Sequence, residues 1–289
     1  MKKNQKSNKL LIGMHVSTSG SLENSIFNAK LLGCTAFQIF TRNPRGWTSP
    51  PLSEKEIDSF RKNLKSNEME SCPIFAHMPY PPNFSSPEKA SFKKSTLSLI
   101  DEAKRCSKLG IPYLVAHLGS HKGSGSVKGM AKLTEAFCKA AKETPNDVTI
   151  LLENNTGSRD SVGSNFEELA EIFSQLKSLK RFGICFDTCH AFTAGYDIHT
   201  KILAEKTWNN FIDLVGIENI NLIHLNDSRG EIGCGTDIHE HVGLGRIGKE
   251  GLSHFVKFAK SHDIPLILET PIDERCNDAE NLKTVRDLI

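Results

Sequence analysis

Between Phe182 and Ile198 the chain reads FGICFDTCHAFTAGYDI. The segment opens apolar, with Ile184 and Phe186, and no charge appears until Asp187; His190 follows three residues later. An acid and an imidazole at the carboxyl end of a buried strand suit a divalent metal or a proton relay. Alone, the pair is equally well explained as a helix-capping Asp beside a surface His. The pattern repeats, however. Apolar runs also end at His77, His117, Glu153, His224 and Glu269, and a Gly-containing loop carries Asp237 and His239. If the runs are parallel strands of one barrel, nine His, Asp or Glu side chains meet at one rim. Five of them are imidazoles, and such crowding without a cation would cost heavily in desolvation and repulsion. Metal ions remove that cost. Nine donors exceed the three or four that one zinc takes, so at least two metals are expected. The imidazole–carboxylate mixture favours zinc, manganese or iron over calcium or magnesium.

The elements needed to position these groups are legible. Eight apolar runs, each the length of a doubly buried parallel strand, lie at 11–17, 36–41, 73–80, 113–119, 149–155, 182–190, 220–227 and 264–271. Amphipathic stretches fit between them, among them Lys89–Leu109, which stops at Gly110 with Pro112 beyond. Ser53 with Glu56, and Ser164 with Glu167, read as capping boxes. The alternation predicts an α/β fold, a single (β/α)8 TIM barrel with its metal site at the C-terminal rim of the strands. A doubly wound open sheet is the competing architecture, but no G-x-G-x-x-G or Walker A loop follows the first strand. Residues 10–289 form the expected barrel domain, and the basic residues 1–9 a disordered tail.

With 289 residues, 38% apolar and 24% charged, the chain has the composition of a soluble globular protein. No apolar run approaches the roughly 20 residues of a membrane helix, and the start lacks a secretory signal, so a cytoplasmic protein is expected. A net charge of +2 requires any nucleic-acid surface to be a local patch. The eight cysteines contain no Cys-x-x-Cys pair and read as free thiols. Cys185 and Cys189, flanking Asp187, are expected to be inert and buried rather than zinc ligands.

At these residues the chain resembles the endonuclease IV family of apurinic/apyrimidinic (AP) endonucleases. The resemblance runs from about Leu11 to the C-terminus through ILLENNTG, FDTCHAFTAGYD, HLNDS, DIHEHVGLGRIG and LILETP. It implies three metals, usually Zn2+, with Mn2+ or Fe2+ as alternatives. His77, His117 and Glu153 would hold the first, and Glu153 would bridge to the second, completed by Asp187, His224 and Glu269. His190, Asp237 and His239 would hold the third. It further implies hydrolysis of the phosphodiester 5′ to an abasic site in double-stranded DNA, leaving a 3′-hydroxyl and a 5′-deoxyribose phosphate, with trimming of blocked 3′ ends as a second activity. Glu153 and Glu269 would be catalytic, the enzyme acting as a monomer (nucleoid-associated in a prokaryote).

The family wedges side chains into the DNA from the loops after the second and third strands, here TRNPRGW and HMPYPPN. Those loops carry Asn43, Arg45 and Trp47, and Tyr80 and Pro81; Arg45 and Tyr80 are the expected wedges, with Asn43 and Pro81 as DNA-binding residues beside them. Arg42, Lys122, Arg229, Arg246 and Lys249 are loop cations on the same rim, expected to contact phosphates. Two features depart from the family pattern: Pro81 stands where a leucine wedge is usual, and GEIGCGTDIH lacks the arginines that usually surround Asp237. Two other readings compete. A metal-dependent sugar isomerase or epimerase on the same barrel would use one or two metals and have no use for the Asp237/His239 pair. A non-catalytic binder of damaged DNA would hold zinc in closed, thiolate-rich sites.

Overall fold

The computed structural model describes residues 9–289, so the expected tail, apart from Lys9, lies outside the described residues. Eight parallel strands form one sheet: β1 (Ile12–Met14), β2 (Phe37–Ile39), β3 (Ile74–His77), β4 (Tyr113–His117), β5 (Thr149–Glu153), β6 (Phe182–Asp187), β7 (Ile220–His224) and β10 (Leu266–Leu268). The order β1-β10-β7-β6-β5-β4-β3-β2 brings the first two strands to its ends. A parallel bridge between His15 and Gln38 joins those ends, with Val16 N donating to Gln38 O at 2.9 Å. Gly13 permits this closure: a Cβ there would lie 1.6 Å from the Ala36 carbonyl oxygen. The fold is the TIM barrel that the alternation of runs predicts.

Strand alternation sets the barrel's contents. Ala36, Phe75, Val115, Leu151, Cys185, Leu222 and Ile267 form a closed apolar layer inside the barrel. Two residues further along each strand, on the same face, stand Gln38, His77, His117, Glu153, Asp187, His224 and Glu269. Gly13 pairs with inward Ile267, which puts His15 in the same upper layer. One plug of apolar side chains thus carries a complete polar layer on top of it. The intervening residues, such as Leu114, Ile150, Ile184 and Ile223, face outward into the main core against the helices.

The helices are α1 (Asn24–Leu31), α2 (Glu54–Ser66), α3 (Lys89–Leu109), α4 (Ser126–Glu143), α5 (Phe166–Leu176), α6 (Thr188–Thr193), α7 (Lys201–Val215), α8 (Gly248–His262) and α9 (Asp278–Arg286). The capping box at Ser53 and Glu56 is present, and α3 ends at left-handed Gly110. The box expected at Ser164 is displaced by one residue: Asn165 caps α5, accepting from Glu168 N at 3.1 Å. Starting there carries Phe166 fully into the core, and Glu168 accepts instead from Gly163 N. The sixth run also divides, because its last residues turn into α6 once the strand ends at Asp187. Outside the barrel β8 (Asp227–Ser228) pairs antiparallel with β9 (His239–Glu240), bringing the loop with Asp237 and His239 back over the rim. Among the described residues no helix is long and apolar enough to cross a membrane.

Candidate metal centre

All nine predicted side chains meet at the C-terminal mouth. The two oxygens of buried Glu153 point to different neighbours. Oε2 lies 3.3 Å from His77 Nε2 and 3.1 Å from His117 Nε2; Oε1 lies 2.8 Å from His224 Nδ1. His224 Nδ1 in turn faces Glu269 Oε2 at 3.4 Å and Asp187 Oδ2 at 3.7 Å. Two donor groups follow, His77/His117/Glu153 and Glu153/Asp187/His224/Glu269, each with ligand atoms within 4.8 Å of one another. The loop pair adds a third. His190 Nε2 and His239 Nε2 each lie 3.1 Å from Asp237 Oδ1. With ligand atoms within 4.8 Å of one another, His190 groups with Asp187 and His239, and with His117 and Asp237, so these residues abut both other groups. The mouth opens into a cavity of about 580 Å³ lined by His15, Phe40, Tyr80, Ile238 and Pro271 among others.

The donor atoms are oriented for a cation. Nδ1 of His77, His190 and His239 each face a backbone carbonyl, those of Met78 (2.8 Å), Asn154 (2.9 Å) and Glu269 (3.0 Å). A carbonyl only accepts, so Nδ1 carries the proton and Nε2 presents its lone pair to the centre. Nε2 of His190 and of His239 is buried without a hydrogen-bond partner. Two imidazole nitrogens converging on a carboxylate oxygen, short of hydrogen-bond alignment, fit a metal. The acids favour charge on several imidazoles beside them. Burial opposes charge on His239, yet Asp237, Asp187 and Glu269 outweigh it and lift its pKa to about 9. Burial likewise opposes charge on Glu153, but His117 and His224 hold its carboxyl well below the usual range. Burial pushes the Cys185 and Cys189 thiols up, against a ligating thiolate.

Four polar side chains that hold the donors are absent from the sequence reading. Asn154 takes the Asp187 backbone from both sides, accepting from N at 2.7 Å and donating to O at 3.0 Å. Asn226 donates to Asp187 Oδ2 at 2.7 Å and accepts from Glu269 N at 2.8 Å. Asp187 Oδ1 accepts from His190 N at 2.8 Å, so the carboxylate caps α6 while facing the centre. His15 and Gln38 complete the polar layer beside Glu269. A search for polar residues two places beyond an apolar inward position would have found both.

The rim residues divide by exposure. Asn43, Arg45 and Tyr80 are exposed and Pro81 is half-buried. Tyr80 N donates to Pro44 O at 2.9 Å, which ties the loops after β2 and β3 together, and the Tyr80 ring meets Phe40 edge-on at 5.4 Å. Lys122 lies 3.6 Å from Glu88, Arg229 3.2 Å from Glu240 and Arg246 2.9 Å from Glu231, all three with exposed heads. Lys249 is exposed as well. Arg42 departs from the expected phosphate contact. It is buried, bonded to Glu102 Oε2 at 2.6 Å, Ser98 Oγ at 2.8 Å and the Trp47 carbonyl at 2.9 Å, and holds the loop from within rather than facing a phosphate.

Residues 26–289 match the family described as the xylose isomerase-like TIM barrel, the class that this barrel and its polar mouth define. Within that class, a protein named probable endonuclease 4 from Nitrosopumilus maritimus is 50% identical over 276 residues, covering 96% of this chain and 99% of the relative. The crystal structure of endonuclease IV from Thermus thermophilus matches with a TM-score of 0.84 at 33% identity, over 96% of this chain and 98% of that one. The chain belongs to the endonuclease IV family. A D-tagatose 3-epimerase-like protein, at 21% identity and a TM-score of 0.72 over 96% and 97% of the two chains, shares the fold.

Proposed function

We propose that this chain is a zinc-dependent AP endonuclease of DNA base excision repair, cutting the phosphodiester 5′ to an abasic site and trimming blocked 3′ ends. The observation that carries the reading is the third donor group: Asp237, with His190 and His239 at 3.1 Å each, adds to two groups already joined by Glu153. A sugar isomerase has no need of it. His77, His117 and Glu153 would hold the first metal, Glu153, Asp187, His224 and Glu269 the second, and His190, Asp237 and His239 the third. When bound, such metals activate water near neutral pH and neutralise the charge of an in-line displacement at phosphorus.

The chain's own residues supply the rest. Glu153, buried between the first two donor groups, and Glu269, in the cavity wall, orient the attacking water through their carboxylates. Exposed Arg45 and Tyr80, on loops joined by the Tyr80–Pro44 hydrogen bond, fill the gap that the extruded sugar leaves in the duplex. Extrusion is cheap at an abasic nucleotide, which has no base to unstack. Asn43 and Pro81 line that wedge, and Lys122, Arg229 and Arg246 bind backbone phosphates. The enzyme acts as a monomer in the cytoplasm. Incision of a duplex oligonucleotide carrying one abasic-site analogue, beside an undamaged control and with metal content measured on the same preparation, tests the reading. A single cut 5′ to the lesion with close to three zinc ions per chain supports it. Full metal loading without a cut overturns it in favour of a sugar substrate.

A further inference from the structure

The polar layer has one member on each strand, and two of the eight, His15 and Gln38, belong to none of the metal groups. Gln38 is fully buried on β2, at the seam where the barrel closes. Its amide is nevertheless fully engaged. Nε2 lies 2.7 Å from Glu269 Oε1 and 3.0 Å from His15 Nδ1, and Oε1 lies 2.9 Å from His224 Nε2.

The chemistry of the partners leaves one assignment. An ionised carboxylate only accepts, so the end of the amide facing Glu269 is the NH2 group. The carbonyl end then faces His224, and His224 Nε2 must carry a proton to donate to it. With a cation held by Glu153, Asp187 and Glu269, His224 keeps that proton and offers Nδ1, the atom already 2.8 Å from Glu153 Oε1. This reverses the arrangement at His77, His190 and His239, where a backbone carbonyl holds Nδ1 and frees Nε2. At His224 a side chain from another strand does the work of that carbonyl.

We propose that Gln38 is a positioning residue of the second metal group: it selects Nδ1 of His224 as the ligand atom and, by holding Oε1 of Glu269, turns Oε2 of that carboxylate inward. His15 Nδ1, 3.1 Å from the same Glu269 oxygen, supports the carboxylate in the tautomer that puts the ring proton on Nδ1, and in that tautomer it accepts nothing from Gln38. Neither of the two side chains closest to it in shape serves both partners. A glutamate would place a second carboxylate against Glu269, and a leucine of similar volume offers neither donor nor acceptor.

The inference rests on the metal reading, and the test separates the two. Zinc affinity is measured by chelator competition on wild type, Gln38→Leu and Gln38→Glu, and histidine nitrogen NMR is recorded on the zinc-loaded wild type. The expected result is about 10–100-fold weaker binding of one zinc in each variant, the scale on which partners of metal ligands act, with the other ions retained. The spectrum is expected to show His224 coordinated through Nδ1 with a slowly exchanging Nε2 proton. Unchanged affinity in folded Gln38→Leu, or coordination of His224 through Nε2, overturns the inference and leaves the metal reading standing. A wild type that binds no zinc overturns both. Should the variants fail to fold, the wild-type spectrum decides alone.

Discussion

Glu153 joins two donor groups through its separate oxygens, so its charge serves both at once. Glu153→Gln is therefore expected to lower incision by about 10²–10³-fold or more, the range seen when one charge-stabilising contact is removed from a transition state. A far-UV spectrum like that of wild type would accompany the loss, and incision within tenfold of wild type would contradict the role. His239→Ala is expected to lose incision by a similar factor, through the third group, together with close to one zinc per chain. The nine donors were legible in the sequence because each stands at the end of an apolar run or in an Asp-x-His pair. Gln38 was not, because a census of acids and imidazoles passes over an amide. Arg42 misled for a different reason: its partner Glu102 lies 60 residues away on α3, and nothing local marks that guanidinium as buried.

At the scale of elements, the two-residue period organises both the barrel and its site. It stacks polar layer on apolar layer with one rule applied to every strand, which is why the two could be read together. Boundaries were less legible, because the cap of α5 depends on where Phe166 reaches the core and the end of β6 on Asp187 serving as a helix cap. The loop after β2 shows what such contacts do. Arg105 donates to the Thr41 carbonyl at 2.7 Å and the Pro50 carbonyl at 3.0 Å, Arg42 holds the Trp47 carbonyl, and buried Glu102 pairs with Arg42. Both ends of the segment carrying Arg45 are thus fastened to α3. Glu102→Ala leaves the buried Arg42 guanidinium without its bonded carboxylate and is expected to cost about 3–5 kcal/mol of stability, measured by urea unfolding. A loss under about 1 kcal/mol, the scale of an exposed pair, would mean that solvent reaches the network.

For the molecule as a whole, the centre collects side chains from strands all round the barrel. A ligand bound only by the folded state raises stability by mass action. Chelation is expected to lower the thermal midpoint, and returning zinc to restore it; an unchanged midpoint would show that the metals do not bind this fold. Asp187 faces His224 with one oxygen, while its other oxygen fixes the first turn of α6 and so the backbone of His190. The second and third donor groups are therefore geared to each other, with the strand end and the helix cap acting as a single bracket. On the three-metal proposal, drawing Asp187 into place for one ion would set His190 for the next. Zinc uptake by the emptied protein should then be cooperative, with a titration steeper than independent sites would produce, and Asp187→Asn should flatten it.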